Sequence, residues 1–157
     1  MARRIKRVAV VRCAGGPAPD DRCEYGCLGC GACVDVCRKD AVKLNQNGVA
    51  QVNRDNCMGC GLCAKACPQG IIDLVPRDQR ILELCSNHDA GATARKDCHA
   101  SCIACGACER VCTCDGIHVS DNLARINLEN CISCGMCASK CPRGVIHDVY
   151  GIIAAGL

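Results

Sequence analysis

One spacing of cysteines occurs four times in 157 residues, and it leaves this chain few ways to fold. Cys-x2-Cys-x2-Cys-x3-Cys begins at Cys27, Cys57, Cys102 and Cys131 and takes up sixteen of the 21 cysteines. Three thiols set close in sequence wrap three corners of a small inorganic group, and a fourth, further off, supplies the last corner. A cubane of four irons and four sulfides asks for one thiolate per iron, so each copy of the spacing predicts one [4Fe-4S] cluster. Structural zinc or metal buffering is the minor alternative, because zinc sites pair two Cys-x2-Cys units and have no use for the tight third and fourth cysteines.

Composition agrees. The chain has no Phe or Trp and only Tyr25 and Tyr150, and each cluster-bearing half is only about 55 residues, a size at which an all-protein core is marginal. Clusters are expected to stand in for the missing core, with assembly coupled to folding. The formal net charge of +3 counts no thiolates. With about −2 per oxidised cluster the loaded protein comes to about −5, which, with no aromatic stacking platforms, argues against a nucleic-acid partner.

An odd cysteine count, no apolar leader behind the basic start at residues 1–7 and iron-ligand spacing favour a reducing compartment, so the expected location is cytoplasmic. No apolar run reaches the 18 or more residues of a membrane span, and the tail 149–157 is too short. Membrane contact is expected only through partners, at most peripheral on the cytoplasmic face. Arg3, Arg4, Lys6 and Arg7 read as a solvated terminus rather than a lipid or nucleic-acid patch.

The chain is a duplication. Cys27, Cys30, Cys33 and Cys37 recur 75 positions later as Cys102, Cys105, Cys108 and Cys112, and Cys57, Cys60, Cys63 and Cys67 recur 74 later as Cys131, Cys134, Cys137 and Cys141. Residues 41–44, an Asn- and Gly-rich turn at 45–48 and residues 49–52 predict a hairpin, repeated at 117–119, 120–122 and 123–126. Closing strands are expected at 71–75 and 145–149, and helices of one or two turns at 34–37, 64–67, 109–112 and 138–141. The organisation reads as a strand segment 1–21, a two-cluster domain 22–76, a polar connector 77–96, a second two-cluster domain 97–149 and a tail 150–157. Within the connector, 81–85 has the pattern of 8–13, an apolar stretch ending in cysteine, so the repeat unit starts upstream of the motifs.

These motifs resemble the bacterial ferredoxin signature, which implies an α+β fold of two tandem 2x[4Fe-4S] ferredoxin-like domains with small antiparallel strands plus short helices. In two-cluster ferredoxins the fourth cysteine of each motif ligates the other cluster. Carried over, Cys27, Cys30, Cys33 and Cys67 hold cluster 1, and Cys57, Cys60, Cys63 and Cys37 hold cluster 2. Cys102, Cys105, Cys108 and Cys141 hold cluster 3, and Cys131, Cys134, Cys137 and Cys112 hold cluster 4. Gly31, Gly61, Gly106 and Gly135 follow the second cysteine of each motif, where a residue without Cβ lets backbone N–H groups approach the sulfurs. Pro68 and Pro142 follow the last cysteine as the signature expects, whereas Arg38 and Thr113 depart from it, which touches local rigidity and potential rather than ligation.

Five cysteines remain. Cys13 pairs with Cys85 and Cys23 with Cys98 by repeat position, and Cys114 lies beside Cys112 as a bystander. The four paired ones are open to several readings: buried free thiols, a further metal site, redox-active dithiols or substitute ligands. His88, His99, His118 and His147 show no ligand spacing and read as surface residues. There is no strand-GxGxxG-helix and no Walker loop, so no nucleotide or flavin is expected here. No nucleophile with a paired base is evident, so the chain is expected not to be an enzyme on its own.

The segments 8–13 (VAVVRC), 23–37 (CEYGCLGCGACVDVC), 57–75, 84–86, 98–112, 119–126 and 131–146 together resemble the ferredoxin region of the B subunit of the Rnf complex, a membrane-bound ferredoxin:NAD oxidoreductase. The resemblance implies a membrane anchor and a separate iron-sulfur domain ahead of this region, so a chain starting at Met1 is expected to be a soluble relative or a truncated form. The family often has a noncysteine residue at the place of Cys30 and relies on a position like Cys23. With Cys30 present, the ordinary ferredoxin assignment leaves Cys23 spare.

The expected function is an electron-transfer subunit relaying low-potential electrons through four [4Fe-4S] clusters within an Rnf-like oxidoreductase complex. Its partners would be redox subunits such as a ferredoxin or flavoprotein. The alternative is a soluble polyferredoxin subunit of another redox enzyme, such as a hydrogenase, an aldehyde or formate oxidoreductase or an electron-bifurcating complex.

Overall fold

The computed structural model describes residues 6–15 and 23–151, so Arg3 and Arg4 of the basic start, part of the expected segment 1–21 and residues 152–157 of the tail lie outside the described residues. The first half runs β1 (Arg7–Val11), α1 (Ala32–Asp35), β2 (Val42–Leu44), β3 (Ala50–Val52), α2 (Leu62–Ala66) and β4 (Ile72–Pro76). The second runs β5 (Ile81–Glu83), α3 (Gly91–Asp97), α4 (Ala107–Val111), β6 (Ile117–Ser120), β7 (Leu123–Ile126), α5 (Met136–Lys140) and β8 (Ile146–Asp148).

Both expected hairpins form, β2 with β3 and β6 with β7, each antiparallel. Their turns differ in chemistry. Asn45 Oδ1 accepts N–H bonds from Asn47 at 2.9 Å and Val49 at 3.0 Å and Gly48 turns with φ 75°. The second hairpin closes on Asp121 and Asn122, both at positive φ, a conformation that Asp and Asn tolerate better than most residues.

Each closing strand finds its partner far upstream. β4 pairs with β1, Val8 opposite Val75 and Val11 opposite Ile72, and β8 pairs with β5, Leu82 opposite His147. The segment 77–96, expected as a connector, thus contributes β5 and α3 to the second half. A lone closing strand would leave a row of backbone groups unpaired, and the apolar runs 8–11 and 81–83 are the segments shaped to cover it.

Period two along these strands divides their side chains between two cores. Ala9 and Val11 face the first half's cysteine-rich core with Cys33, Cys63, Ile71 and Ile72. Val8 and Val10 face the other way and pack with Val75 and Leu82, joining the halves. Ile81 serves the second half's core with Ile117, Leu123 and Ile146. A strand buried on both faces has no polar side to alternate with, which is why VAVV reads as an unbroken apolar run.

The junction also holds charge. Arg12 Nη1 lies 2.9 Å from Glu83 Oε1, Arg12 Nε lies 3.0 Å from Asp73 Oδ2 and Arg125 Nη1 lies 3.4 Å from Glu83 Oε1. Arg12 Nη1 also donates to the Glu83 carbonyl at 2.9 Å, and Glu83 is only 1% exposed. Burial pushes the Glu83 carboxyl up while Arg12 and Arg125 hold it down. Leu82 is fully buried between the halves. Leu82→Ala is expected to cost about 2–5 kcal/mol through lost burial and a cavity, read as a lower denaturant midpoint for loss of cluster absorbance under anaerobic conditions.

Candidate iron-sulfur centres

Each motif builds the same local shape. The residue after the second cysteine is a helix N-cap in the left-handed region, with φ 76° at Gly31, 78° at Gly61, 72° at Gly106 and 79° at Gly135. Helices expected to begin at 34, 64, 109 and 138 therefore start two residues earlier, because the glycine reverses the chain directly into the helix. In α2, α4 and α5 the fourth cysteine of the motif is the C-cap, in extended conformation at Cys67, Cys112 and Cys141. Leaving the helix there turns that cysteine away from its own loop.

Four cavities result. The first is lined by Cys27, Cys30, Cys33 and Cys67, the second by Cys37, Cys57, Cys60 and Cys63. The third is lined by Cys102, Cys105, Cys108 and Cys141, and the fourth by Cys112, Cys131, Cys134 and Cys137, with Cys114 also at its wall. Each wall thus takes three cysteines from one motif and the fourth from the other motif of the same half. Among the described residues, no group of three or more Cys, His, Asp or Glu side chains is placed to hold a single metal ion. The sulfurs ring a space instead of meeting at a point, and that suits a group the size of a cubane.

Burial is graded in the same way around every cavity. The second cysteine, Cys30, Cys60, Cys105 or Cys134, is exposed, and the third, Cys33, Cys63, Cys108 or Cys137, is buried. Burial pushes Cys33 and Cys63 up, Cys108 to about 11 and Cys137 to about 12. Such thiols hold their protons at neutral pH until a cation takes the proton's place, so loading the cavities releases protons.

Backbone donors are already aimed at the sulfurs. Gly29 N–H donates to Cys27 Sγ at 3.4 Å, Ala104 to Cys102 at 3.5 Å and Ser133 to Cys131 at 3.4 Å. Ala41, Gly116 and Val145 donate to Cys37, Cys112 and Cys141 at 3.3, 3.2 and 3.4 Å. The second set follows a residue at positive φ: Asp40, Asp115 or Gly144. Donors in these positions stabilise negative charge on sulfur. Two come from strands: Ala9 on β1 reaches Cys57 Sγ at 3.4 Å, and Ala50 on β3 reaches Cys27 Sγ at 3.5 Å. Arg38, in the place where the signature has proline, lines the second cavity with Lys39.

The residue before each second cysteine is a position that sequence reasoning passed over. Gly29, Gly59, Ala104 and Ser133 all have positive φ, and only a comparison of the four loops side by side hints at it. A Cβ on Gly59 would run into the Arg7 carbonyl oxygen, and one on Gly29 would lie 2.7 Å from the Gly48 carbonyl oxygen. The loop of motif 2 is thus pressed against β1.

Apart from Cys114, at the wall of the fourth cavity, the remaining site residues fall outside the four cavities. Cys13 lies near Cys27, and Cys23 lies beside Cys98 and Asn87. Cys30, not Cys23, stands at the first cavity. Cys114 Sγ is 3.6 Å from Cys112 Sγ. His118 sits 3.3 Å from Glu109 and 3.1 Å from Asp115, and His88 packs edge-on against Tyr25.

Comparison with known proteins gives the same chemistry. Residues 23–74 match a family described as 4Fe-4S dicluster domain, and residues 124–147 one described as 4Fe-4S binding domain. The chain is 44% identical over 124 residues to the B subunit of the Na(+)-translocating ferredoxin:NAD(+) oxidoreductase complex of Acetobacterium woodii, covering 79% of this chain and 37% of that protein. It is 38% identical over 124 residues to the B subunit of the ion-translocating oxidoreductase complex of Methanosarcina acetivorans, 79% of this chain and 47% of that one. A third relative, the B subunit of the proton-translocating ferredoxin:NAD(+) oxidoreductase complex of Clostridium ljungdahlii, is 38% identical over 134 residues, 84% of this chain and 46% of its own. The chain thus spans less than half the length of these curated relatives.

Gly59→Ala is expected to displace the motif 2 loop from β1 at a cost of about 1–3 kcal/mol, seen as faster loss of cluster absorbance on exposure to chelator. Gly31→Ala, with the same sign of φ but nothing within 4 Å of its added Cβ, is expected to cost about 1–2 kcal/mol from φ alone. Motifs, cavities and comparisons agree: the chain is a duplicated 4Fe-4S ferredoxin-like protein, similar over most of its length to part of the B subunits of ion- and proton-translocating oxidoreductase complexes.

Proposed function

We propose that the chain is an electron relay within an Rnf-like oxidoreductase complex, carrying low-potential electrons through four [4Fe-4S] clusters between redox subunits such as a ferredoxin or flavoprotein. The observation that carries this reading is the set of four cavities, each walled by four cysteines with backbone N–H groups turned to their sulfurs. The names of the relatives, each the B subunit of an ion- or proton-translocating oxidoreductase complex, support it.

The ligand sets we propose are those of the cavity walls. Cys27, Cys30, Cys33 and Cys67 hold cluster 1, and Cys57, Cys60, Cys63 and Cys37 hold cluster 2. Cys102, Cys105, Cys108 and Cys141 hold cluster 3, and Cys131, Cys134, Cys137 and Cys112 hold cluster 4. When bound, the clusters supply one-electron chemistry. The protein supplies four thiolates, donors that moderate their charge and, through Leu28, Met58 and Ile132, each at least 60% exposed beside a motif's first cysteine, apolar surface where electrons enter or leave. Among the described residues no helix is long and apolar enough to cross a membrane. The proposed place is the cytoplasmic side of the membrane complex, held there by partners.

Two measurements test this. Anaerobically purified protein is expected to carry about 16 irons and as many acid-labile sulfides, and a colourless protein holding zinc would overturn the cluster assignment. A redox titration followed by electron paramagnetic resonance is expected to show reduction only at the low, ferredoxin-like end of the range of about −700 to +450 mV that such clusters span. Complete reduction well above that end would remove the low-potential role.

A further inference from the structure

The fourth cavity has one thiol too many. Three cavity walls carry four cysteines each, whereas Cys112, Cys114, Cys131, Cys134 and Cys137 all stand at the fourth. A cubane takes one thiolate per iron, so five sulfurs stand around four corners.

The extra thiol comes from a departure confined to one motif. Two positions past the fourth cysteine, motifs 1, 2 and 4 have Lys39, Gln69 and Arg143, and motif 3 has Cys114. Gln69 and Arg143 reach away to the backbone ahead of another motif. Gln69 Nε2 donates to the carbonyls of Glu24 at 2.7 Å and Gly26 at 3.1 Å, and Arg143 Nη2 donates to that of Cys98 at 2.7 Å. Cys114 turns back on its own motif instead, with its Sγ 3.6 Å from Cys112 Sγ.

The backbone around the pair keeps both sulfurs at the cavity. Cys112 Sγ accepts the Gly116 N–H at 3.2 Å, and Asp115, at φ 55°, makes the turn that brings this donor round. A Cβ on Gly116 would lie 3.0 Å from Cys114 Sγ and 3.0 Å from Cys131 Cα. Cys114 is therefore set beside two cysteines of the cluster 4 ligand set, Cys112 directly and Cys131 across a glycine. Both Cys112 and Cys114 are half-buried, unlike the buried Cys137, and a change between staggered χ1 wells carries a cysteine sulfur most of the way from one position to the other. Thr113 leaves φ free to adjust between them, where Pro68 and Pro142 fix it in motifs 2 and 4.

We propose that Cys112 and Cys114 are interchangeable ligands for one iron corner of cluster 4, so that when one thiol leaves that corner the other holds the iron. This rests on the four-cluster reading given above. In the exchange the Cys114 thiol gives its proton to solvent and binds the iron, and the Cys112 thiolate leaves and takes up a proton. One iron–sulfur bond forms as one breaks, and no electron moves.

The test starts from the unaltered holoprotein under anaerobic conditions. It is labelled slowly with iodoacetamide, digested and mapped by mass spectrometry, with iron counted alongside. The expected result is one label per molecule on this pair, at Cys112 in some molecules and at Cys114 in the others, with about 16 irons retained. Label confined to Cys114, or label on both with iron lost, would overturn the proposal. Cys112→Ala is expected to keep about 16 irons, to protect Cys114 from the reagent and to show no three-iron signal by electron paramagnetic resonance. Cys112→Ala combined with Cys114→Ala is expected to fall to about 15 irons and to show that signal, as is Cys141→Ala, whose cavity has only four cysteines at its wall. A three-iron signal in Cys112→Ala as strong as in the double variant would also overturn the proposal. If a variant fails to load, the label map of the unaltered protein decides. Zinc in place of iron would overturn the cluster reading itself, whereas these other outcomes remove the exchange alone.

Discussion

Each cavity must gather four sulfurs from two loops and hold them apart, and the rest of the molecule is arranged to meet that demand. A chain with no Phe or Trp has little apolar bulk for filling a core. Its interior is instead built from short aliphatic strands laid against cysteine-lined spaces. The group that fills those spaces completes the packing as well as the chemistry. Burial of the third cysteine of every motif ties the two together, since a buried thiolate is unfavourable without a cation beside it.

Holding the sulfurs apart is mainly the work of backbone. A left-handed residue on each side of the second cysteine turns the loop around the cavity, and another, three residues past Cys37, Cys67, Cys112 and Cys141, turns the chain on toward the next strand. In most of these loops the turning points coincide with N–H donors to sulfur. The same turns that shape the cavity therefore set the electrostatic surroundings of whatever occupies it. Residues 77–79 extend this across the halves: Arg77 Nη2 donates to the Cys57 carbonyl at 2.5 Å and Gln79 Nε2 to Cys131 Sγ at 3.5 Å.

The hairpins, the short helices and the duplicated unit were legible because each is encoded within a few residues of itself: turn residues at 45–48 and 120–122, glycines after the second cysteines, a repeat of 74 to 75 positions. Helix starts were misplaced by two residues because the glycine, a residue that normally ends helices, acts here as an N-cap. The strand role of 81–83 was visible only as a likeness to 8–11, because a three-residue strand with a buried glutamate has no periodic signal of its own. Glu83 is intelligible only beside Arg12 and Arg125, which lie 71 and 42 positions away.

Sequence alone determined the cofactor class, the sixteen cysteines at the cavities and the twofold repeat, since ligand spacing is a local property that loop geometry reads directly. Tertiary structure decided which distant strand closes each half, β1 on β4 and β5 on β8. It also decided where the cysteines beside the motifs go, setting Cys23 against Asn87 instead of at the first cavity. These are choices between partners far apart in the chain. They are settled by which apolar faces are left to bury, and no spacing of residues records that.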